Sequence, residues 1–234
     1  MQIFYTPDIA IKPELPEEEA GHCIRVLRLG EGDEIVLTDG QGSFYKAAIS
    51  RAHPKHCEVT LLESWKQPDL WNFNLHIAIA PTKNMDRMEW FVEKATEIGI
   101  NAITCLNCRF SERKEIKPIR LEKILVSAMK QSQKATLPAL EGMTDFKKFV
   151  ATPFDGRKFI AHCEEGEKPL LKHTYQPGEN ALILIGPEGD FSPEEIKLAQ
   201  ENGLRADLFR REPAAYGNGC ASGLPYDSCV KSIE

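Results

Sequence analysis

Apolar and polar positions follow two different rhythms along this chain. In the first third, the runs IFY, DEIVLTDG, SFYKAAIS and HCEVTLLES are rich in β-branched and aromatic residues, which predicts strands, and a DGQG turn separates the second run from the third. One helix interrupts them, covering roughly Glu17 to Leu27, with Pro16 near its start and Gly30 beyond its end. The expected product is a small barrel-like β domain that closes near Lys66-Gln67-Pro68-Asp69, a polar link containing proline. From Asn74 onward, short apolar runs (LHIAIA, AITCLN, KFIAHC, ALILIG) alternate with helical periodicity, which predicts an α/β domain with a mostly parallel sheet covered by helices. The predicted domains are therefore residues 1–70 and 71–234.

Three helices of the second domain are readable from their ends. Met85–Ile98 is capped by Asn84 and stopped by Gly99, with Met88, Phe91, Val92, Ala95 and Ile98 on one face. A second runs from about Pro118 to Lys134 and buries Leu121, Ile124, Leu125, Ala128 and Met129. A third follows Ser192, with Pro193 in its first turn and Glu195 completing a capping box, and ends at Asn202-Gly203.

Composition narrows the classes. At 234 residues, 42% hydrophobic and 27% charged, the chain can bury a sizeable core, which excludes a disordered or fibrous protein. No stretch reaches the ~18 to 20 apolar residues of a membrane span, and MQIFYTPDIAIKPE lacks a basic start followed by an apolar run, so a cytoplasmic protein with no membrane partner is expected. Seven irregularly spaced cysteines then read as reduced thiols. Cys105 and Cys108 form a CxxC without a second pair at zinc-finger spacing, so buried thiols and no metal are expected. The net charge of -6 argues against a polyanion partner, but eight basic residues stand against three acidic ones between Arg109 and Lys134. That stretch fits phosphate contacts, and equally a solvated helix face.

The segment ALILIGPEGDFSPEE carries the most chemical information. An apolar strand, Ala181 to Ile185, runs into Gly186-Pro187-Glu188-Gly189 and then a capped helix. In open α/β sheets ligands bind at the carboxyl ends of strands, where glycines let main-chain amides approach closely. The loop lacks the Lys-Ser/Thr of a P-loop and the GxGxxG of a dinucleotide site. By spacing alone it is a plain strand-to-helix turn or a ligand loop, and no Ser-His-Asp or Cys-His arrangement can be assembled.

Taken in order, HCIRVLRLGEGDEIVLTDGQG, KNMDRMEWFVEKATEIGI, KQSQKATLP and ALILIGPEGDFSPEEI resemble the bacterial 16S rRNA (uracil-N3) methyltransferases of the SPOUT class. The likeness runs from the first residues to about Gly203. It implies a PUA-like RNA-binding domain, an α/β domain tied in a trefoil knot, a homodimer, and transfer of the methyl of S-adenosylmethionine to N3 of a uridine in small-subunit rRNA. Ile185, Gly186, Pro187, Glu188 and Gly189 match the family's cofactor loop. Arg25, Arg28, Lys83, Lys94, Arg109, Gln131 and Lys134 are implied as RNA or active-site contacts, and no general base is identified, Glu97 being motif-borne but equally a helix-surface residue.

The end of the chain departs from this pattern. The family closes with a segment reading approximately SLG...LRTETA, whereas Leu204 to Glu234 are crowded with Gly, Pro, Ala, Ser and Cys without periodicity. Back-translation with one nucleotide dropped after Gly203 lets Leu208 to Gly219 spell SLGESRLRTETA. The expectation is a frameshifted tail that packs poorly after Gly203 and weakens the cofactor pocket. A noncatalytic RNA-binding protein that has lost this pocket is the competing reading.

Overall fold

The computed structural model describes residues 2–163 and 169–206. The chain divides into two compact units, Met1–Leu70 with Leu125–Leu137, and Trp71–Ile124 with Pro138–Glu234.

The first unit is built on a four-stranded sheet in the order β1-β2-β3-β4, comprising Ile3–Tyr5, Glu34–Thr38, Ser43–Arg51 and Glu58–Lys66. β1 pairs parallel to β2, and the others pair antiparallel. Alternation along these strands turns Phe4, Ile35, Leu37, Ala47, Ile49 and Val59 inward onto Ile9, Leu15, Ala20 and Cys23. The helix predicted from Glu17 to Leu27 is regular only over α1, Glu17–Gly21, and continues as a π-helical turn, His22–Val26. The amide of Leu27 donates to the carbonyl of His22 at 3.0 Å, and Arg28 ends the turn at φ 59°. Thus the left-handed stop falls on an arginine two residues before the expected Gly30. The cost of that conformation for a side chain with a Cβ makes it uncommon outside constrained sites. The end of α3 (Pro118–Gln131) is held to α1 by a largely buried ion pair, Lys130 Nζ to Glu19 Oε1 at 2.6 Å.

The second unit holds a parallel six-stranded sheet in the order β10-β8-β9-β5-β6-β7. These strands are β5 Leu75–Ile79, β6 Ala102–Asn107, β7 Ala139–Asp145, β8 Arg157–Ala161, β9 Ala181–Ile185 and β10 Arg205–Ala206. All five residues of β9 are buried, as a central strand covered on both faces requires. Helices α2 (Met85–Ile98) and α6 (Pro193–Glu201) have the predicted caps: Asn84 accepts from the amide of Asp86, and Ser192 with Glu195 forms the capping box. The short helices α4 (Phe146–Val150) and α5 (Leu171–Thr174) and the strand β7 lie in stretches without a clear sequence period.

One expectation is corrected at the end of the described chain. Leu204 is 3% exposed and packs in the core with Ile196, Ala199 and Ile160, and Arg205 and Ala206 pair with Phe159 and Ile160. Strand pairing is made by the main chain and so asks little of side-chain identity at Arg205 and Ala206, and Leu204 supplies an apolar side chain to the core. The rest of the proposed frameshift and the segment completing the implied knot lie outside the described residues. Among the described residues no helix is long and apolar enough to cross a membrane.

The Lys130–Glu19 pair predicts a stability cost. Lys130→Ala leaves a mostly buried carboxylate unpartnered and should destabilise the protein by about 2 to 3 kcal/mol in denaturant titration, below the figure for a fully buried pair because both groups keep some solvent. Adding Glu19→Gln should recover part of that loss.

Candidate functional site

The sheet marks its own ligand position. From β5 the chain steps through α2 to β6 and then β7 on one side, whereas from β9 it steps through α6 to β10 on the other. The connections therefore diverge between β5 and β9, and a crevice outside the carboxyl ends of those two strands is where open α/β sheets take ligands. Three segments meet there: Ala80–Asn84 after β5, Cys108–Arg113 after β6, and Gly186–Phe191 after β9.

Hydrogen bonds from its neighbours fix the last of these. The amide of Lys83 donates to Glu188 Oε1 at 2.9 Å, joining the loops after β5 and β9. Asp190 stands at φ 64°, a conformation that Asp tolerates better than most residues. Its carboxylate accepts from the amide of Cys163, beyond β8, and from that of Phe191, both at 2.7 Å. Glu195 is 6% exposed, and its carboxylate accepts from the amide of Arg109 at 2.8 Å and that of Ser192 at 2.9 Å. The capping residue therefore also holds the loop after β6. Gly186 and Gly189 are needed for close approach: a Cβ at Gly186 would lie 3.1 Å from the ring of Phe191, and one at Gly189 3.3 Å from Cβ of Phe110. Ile185, Gly186 and Pro187 are buried, while Glu188 and Gly189 face solvent.

The basic stretch is neither a free phosphate patch nor a purely solvated face. Arg109 pairs with Glu194 at 3.2 Å, and Arg120 with Glu89 at 2.6 Å. Lys114 donates to Asn107 Oδ1 and to the carbonyl of Cys108. Arg113 donates to the carbonyls of Thr82 and Lys83. Phe110 is 47% exposed, with the Arg109 guanidinium 5.7 Å from its ring centre.

The sequence-predicted contacts fall into three groups. Lys83 and Arg109 are brought to the edge beside the loop of Gly186 to Gly189, and both are exposed. Lys94 lies ten residues along α2 from its N-cap, about 15 Å at helical rise, and pairs with Glu93 and Glu97. Hydrogen bonding to Glu93 and Glu97 holds its pKa above the usual lysine range. Glu97 is thus engaged on the helix surface. Arg25, Arg28, Gln131 and Lys134 all belong to the first unit, where the Lys130–Glu19 pair links the helical segment of the arginines to the end of α3. Cys105 and Cys108 are buried, and burial pushes the Cys105 thiol up to about 12, so neither is a ready thiolate. Among the described residues no cluster of His, Cys, Asp and Glu could hold a metal.

Two family models match the chain: an RNA methyltransferase PUA domain over residues 15–62, and an RNA methyltransferase domain over residues 69–209. The chain belongs to the RNA methyltransferase family. Its second domain is the methyltransferase domain, and the loop of Gly186 to Gly189 lies within it. A "probable rRNA-methyltransferase" of Porphyromonas gingivalis is 38% identical and superposes at TM-score 0.89, covering 100% of this chain and 97% of that one. A methyltransferase of Legionella pneumophila, solved with bound S-adenosylmethionine, is 25% identical at TM-score 0.80, covering 100% and 96%. Ribosomal RNA small subunit methyltransferase E of Bacillus subtilis is 24% identical in an alignment that covers 83% of this chain and 81% of that protein.

Asp190, Arg113 and the second role of Glu195 are absent from the sequence reading. Only Glu195 carries a signal, its place in the capping box, and nothing in the spacing points to the amide of Arg109. In the methyltransferase domain Glu195→Ala strips the acceptor from two amides at once and should cost about 2 to 4 kcal/mol. Thermal unfolding checks this, and Glu195→Gln, which keeps one acceptor oxygen, should fall in between.

Proposed function

We propose that this chain is an S-adenosylmethionine-dependent methyltransferase that modifies N3 of a uridine in the 16S rRNA of the small ribosomal subunit. The observation that carries this reading is the glycine-flanked loop of Ile185 to Gly189, clamped at the switch point of an RNA methyltransferase domain. The relative with bound S-adenosylmethionine and the small-subunit methyltransferase named above support the cofactor and the substrate.

The residues fit such a cofactor. An adenosyl group needs main-chain donors and acceptors beside apolar walls, and the exposed Glu188–Gly189 stretch offers main chain next to buried Ile185 and Pro187, while the missing Cβ of Gly186 lets the ring of Phe191 pack against the loop. When bound, S-adenosylmethionine supplies a methyl group on a sulfonium. Displacement at that carbon requires acceptor, methyl and departing sulfur in one line, so the chain's own work is mainly positioning. Ile185 to Gly189 hold the donor side. Exposed Lys83 and Arg109 at the same edge attract the RNA, and Arg25 and Arg28 of the PUA domain, with Gln131 and Lys134 in the same compact unit, add cationic and polar groups. N3 lies on the pairing edge of the base, so the target uridine is unpaired or extruded when it reaches the site.

The proposal extends to a homodimer. Trp90, 38% exposed, and Ile119, 69% exposed, flank the Arg120–Glu89 pair that joins α2 to α3, and this apolar surface suits a second copy. We also infer that Leu204 to Glu234 read through a shifted frame, supported by the family-like SLGESRLRTETA spelled over Leu208 to Gly219.

Small subunits lacking the modification, incubated with S-adenosylmethionine and the protein in its present or its restored frame, should gain 3-methyluridine in nucleoside mass spectrometry, and a methyl group on another base, or none with either protein, would refute the reading. Resequencing the coding DNA tests the tail: codons compatible with the alternative frame are expected, and the restored protein should bind S-adenosylmethionine more tightly. Incompatible codons would end the frameshift idea.

A further inference from the structure

Arg113 turns its head group onto the main chain of the segment after β5. Its Nε donates to the carbonyl of Thr82 at 3.1 Å and its Nη2 to the carbonyl of Lys83 at 2.6 Å. Lys83 itself carries its ammonium outward, 77% exposed and paired with Glu112 at 2.9 Å. The carbonyl of Thr82 and the amide of Lys83 belong to one peptide unit. That plane is rigid, and in the trans form its C=O and N–H point in opposite directions. Held by Arg113 at the oxygen, the plane presents its N–H to Glu188 Oε1 at 2.9 Å.

We propose that Arg113 is a positioning residue for the cofactor loop, acting on Glu188 through the Thr82–Lys83 peptide. The inference rests on the cofactor reading above. The planar guanidinium reaches two successive carbonyls with N–H groups on two different nitrogens held in a fixed fork, whereas an ammonium is a compact point donor with no such preset geometry. Because the chain runs from a charged donor through a peptide to a carboxylate, each hydrogen bond polarises the next. Losing Arg113 frees the peptide to rotate, and Glu188 loses the amide that fixes it. The Gly186–Gly189 loop then samples conformations in which its main chain no longer matches the ligand, and ordering it again lowers affinity.

The test uses the full chain with Arg113→Ala, Arg113→Lys, Glu188→Gln and the Ala/Gln double variant. In the absence of any ligand, hydrogen exchange at the Lys83 amide should accelerate in Arg113→Ala. Its affinity for S-adenosylmethionine should fall about tenfold or more, the scale of a lost hydrogen bond to a charged group, with RNA affinity measured without cofactor unchanged. Arg113→Lys should recover part of this, and low concentrations of guanidinium should partly rescue Arg113→Ala. The double variant should be no worse than the weaker single one, since both changes cut the same chain of contacts. Unchanged Lys83 exchange, additive effects, or a loss of RNA affinity with cofactor binding intact would overturn the proposal, the last making Arg113 a phosphate contact. Failure of both the unaltered chain and the restored-frame protein to bind S-adenosylmethionine would instead count against the proposed function, and Lys83 exchange would still decide the role of Arg113.

Discussion

A turn with glycine at two of its four positions has little of its own to hold it, because each glycine has more backbone freedom to lose than any other residue. The loop from Gly186 to Gly189 keeps its course because anchors on both sides fix it. On one side the peptide after Thr82 holds Glu188, and on the other Asp190 accepts the amide of Cys163. Below it, Glu195 joins the start of α6 to the segment after β6. These anchors are hydrogen bonds from main-chain amides to carboxylates, and within Gly186 to Gly189 the side chain that takes part is Glu188. A site built this way can present peptide groups to a ligand while the buried strand beneath it stays fixed.

The same arrangement explains why an acidic protein carries a basic segment. Of the cations between Arg109 and Lys134, Arg109, Arg113, Lys114, Arg120 and Lys130 have partners within the chain, so their first task is architectural. Lys83 and Arg109 beside the loop stay exposed although each is paired with a carboxylate, and Arg25 and Arg28 in the first unit are exposed as well. Counting charges along the sequence could not separate these uses, because pairing depends on residues as distant as Glu19 and Glu194.

Elements with strong periodicity or complete caps were legible before the structure: β5, β9, α2 and α6 are where the pattern places them. β7 was not, because ALEGMTD has exposed positions and a glycine in an edge strand that needs few apolar residues. The helix of residues 17 to 27 was misjudged at its end, where an additional residue in a π turn and a left-handed Arg28 replace the glycine stop. The loop itself was visible from its glycines. Its clamps were not, since Arg113 meets Thr82, and Asp190 meets Cys163, only through the pairing of parallel strands far apart in sequence.

The most direct test of the account is peptide-resolved hydrogen exchange of the full chain with and without S-adenosylmethionine. Protection of residues 185–191, together with the segments 80–84 and 108–113 that hold them, is the predicted result. Saturable binding that leaves this loop unprotected, with protection elsewhere, would contradict the assignment of the cofactor to the carboxyl ends of β5 and β9.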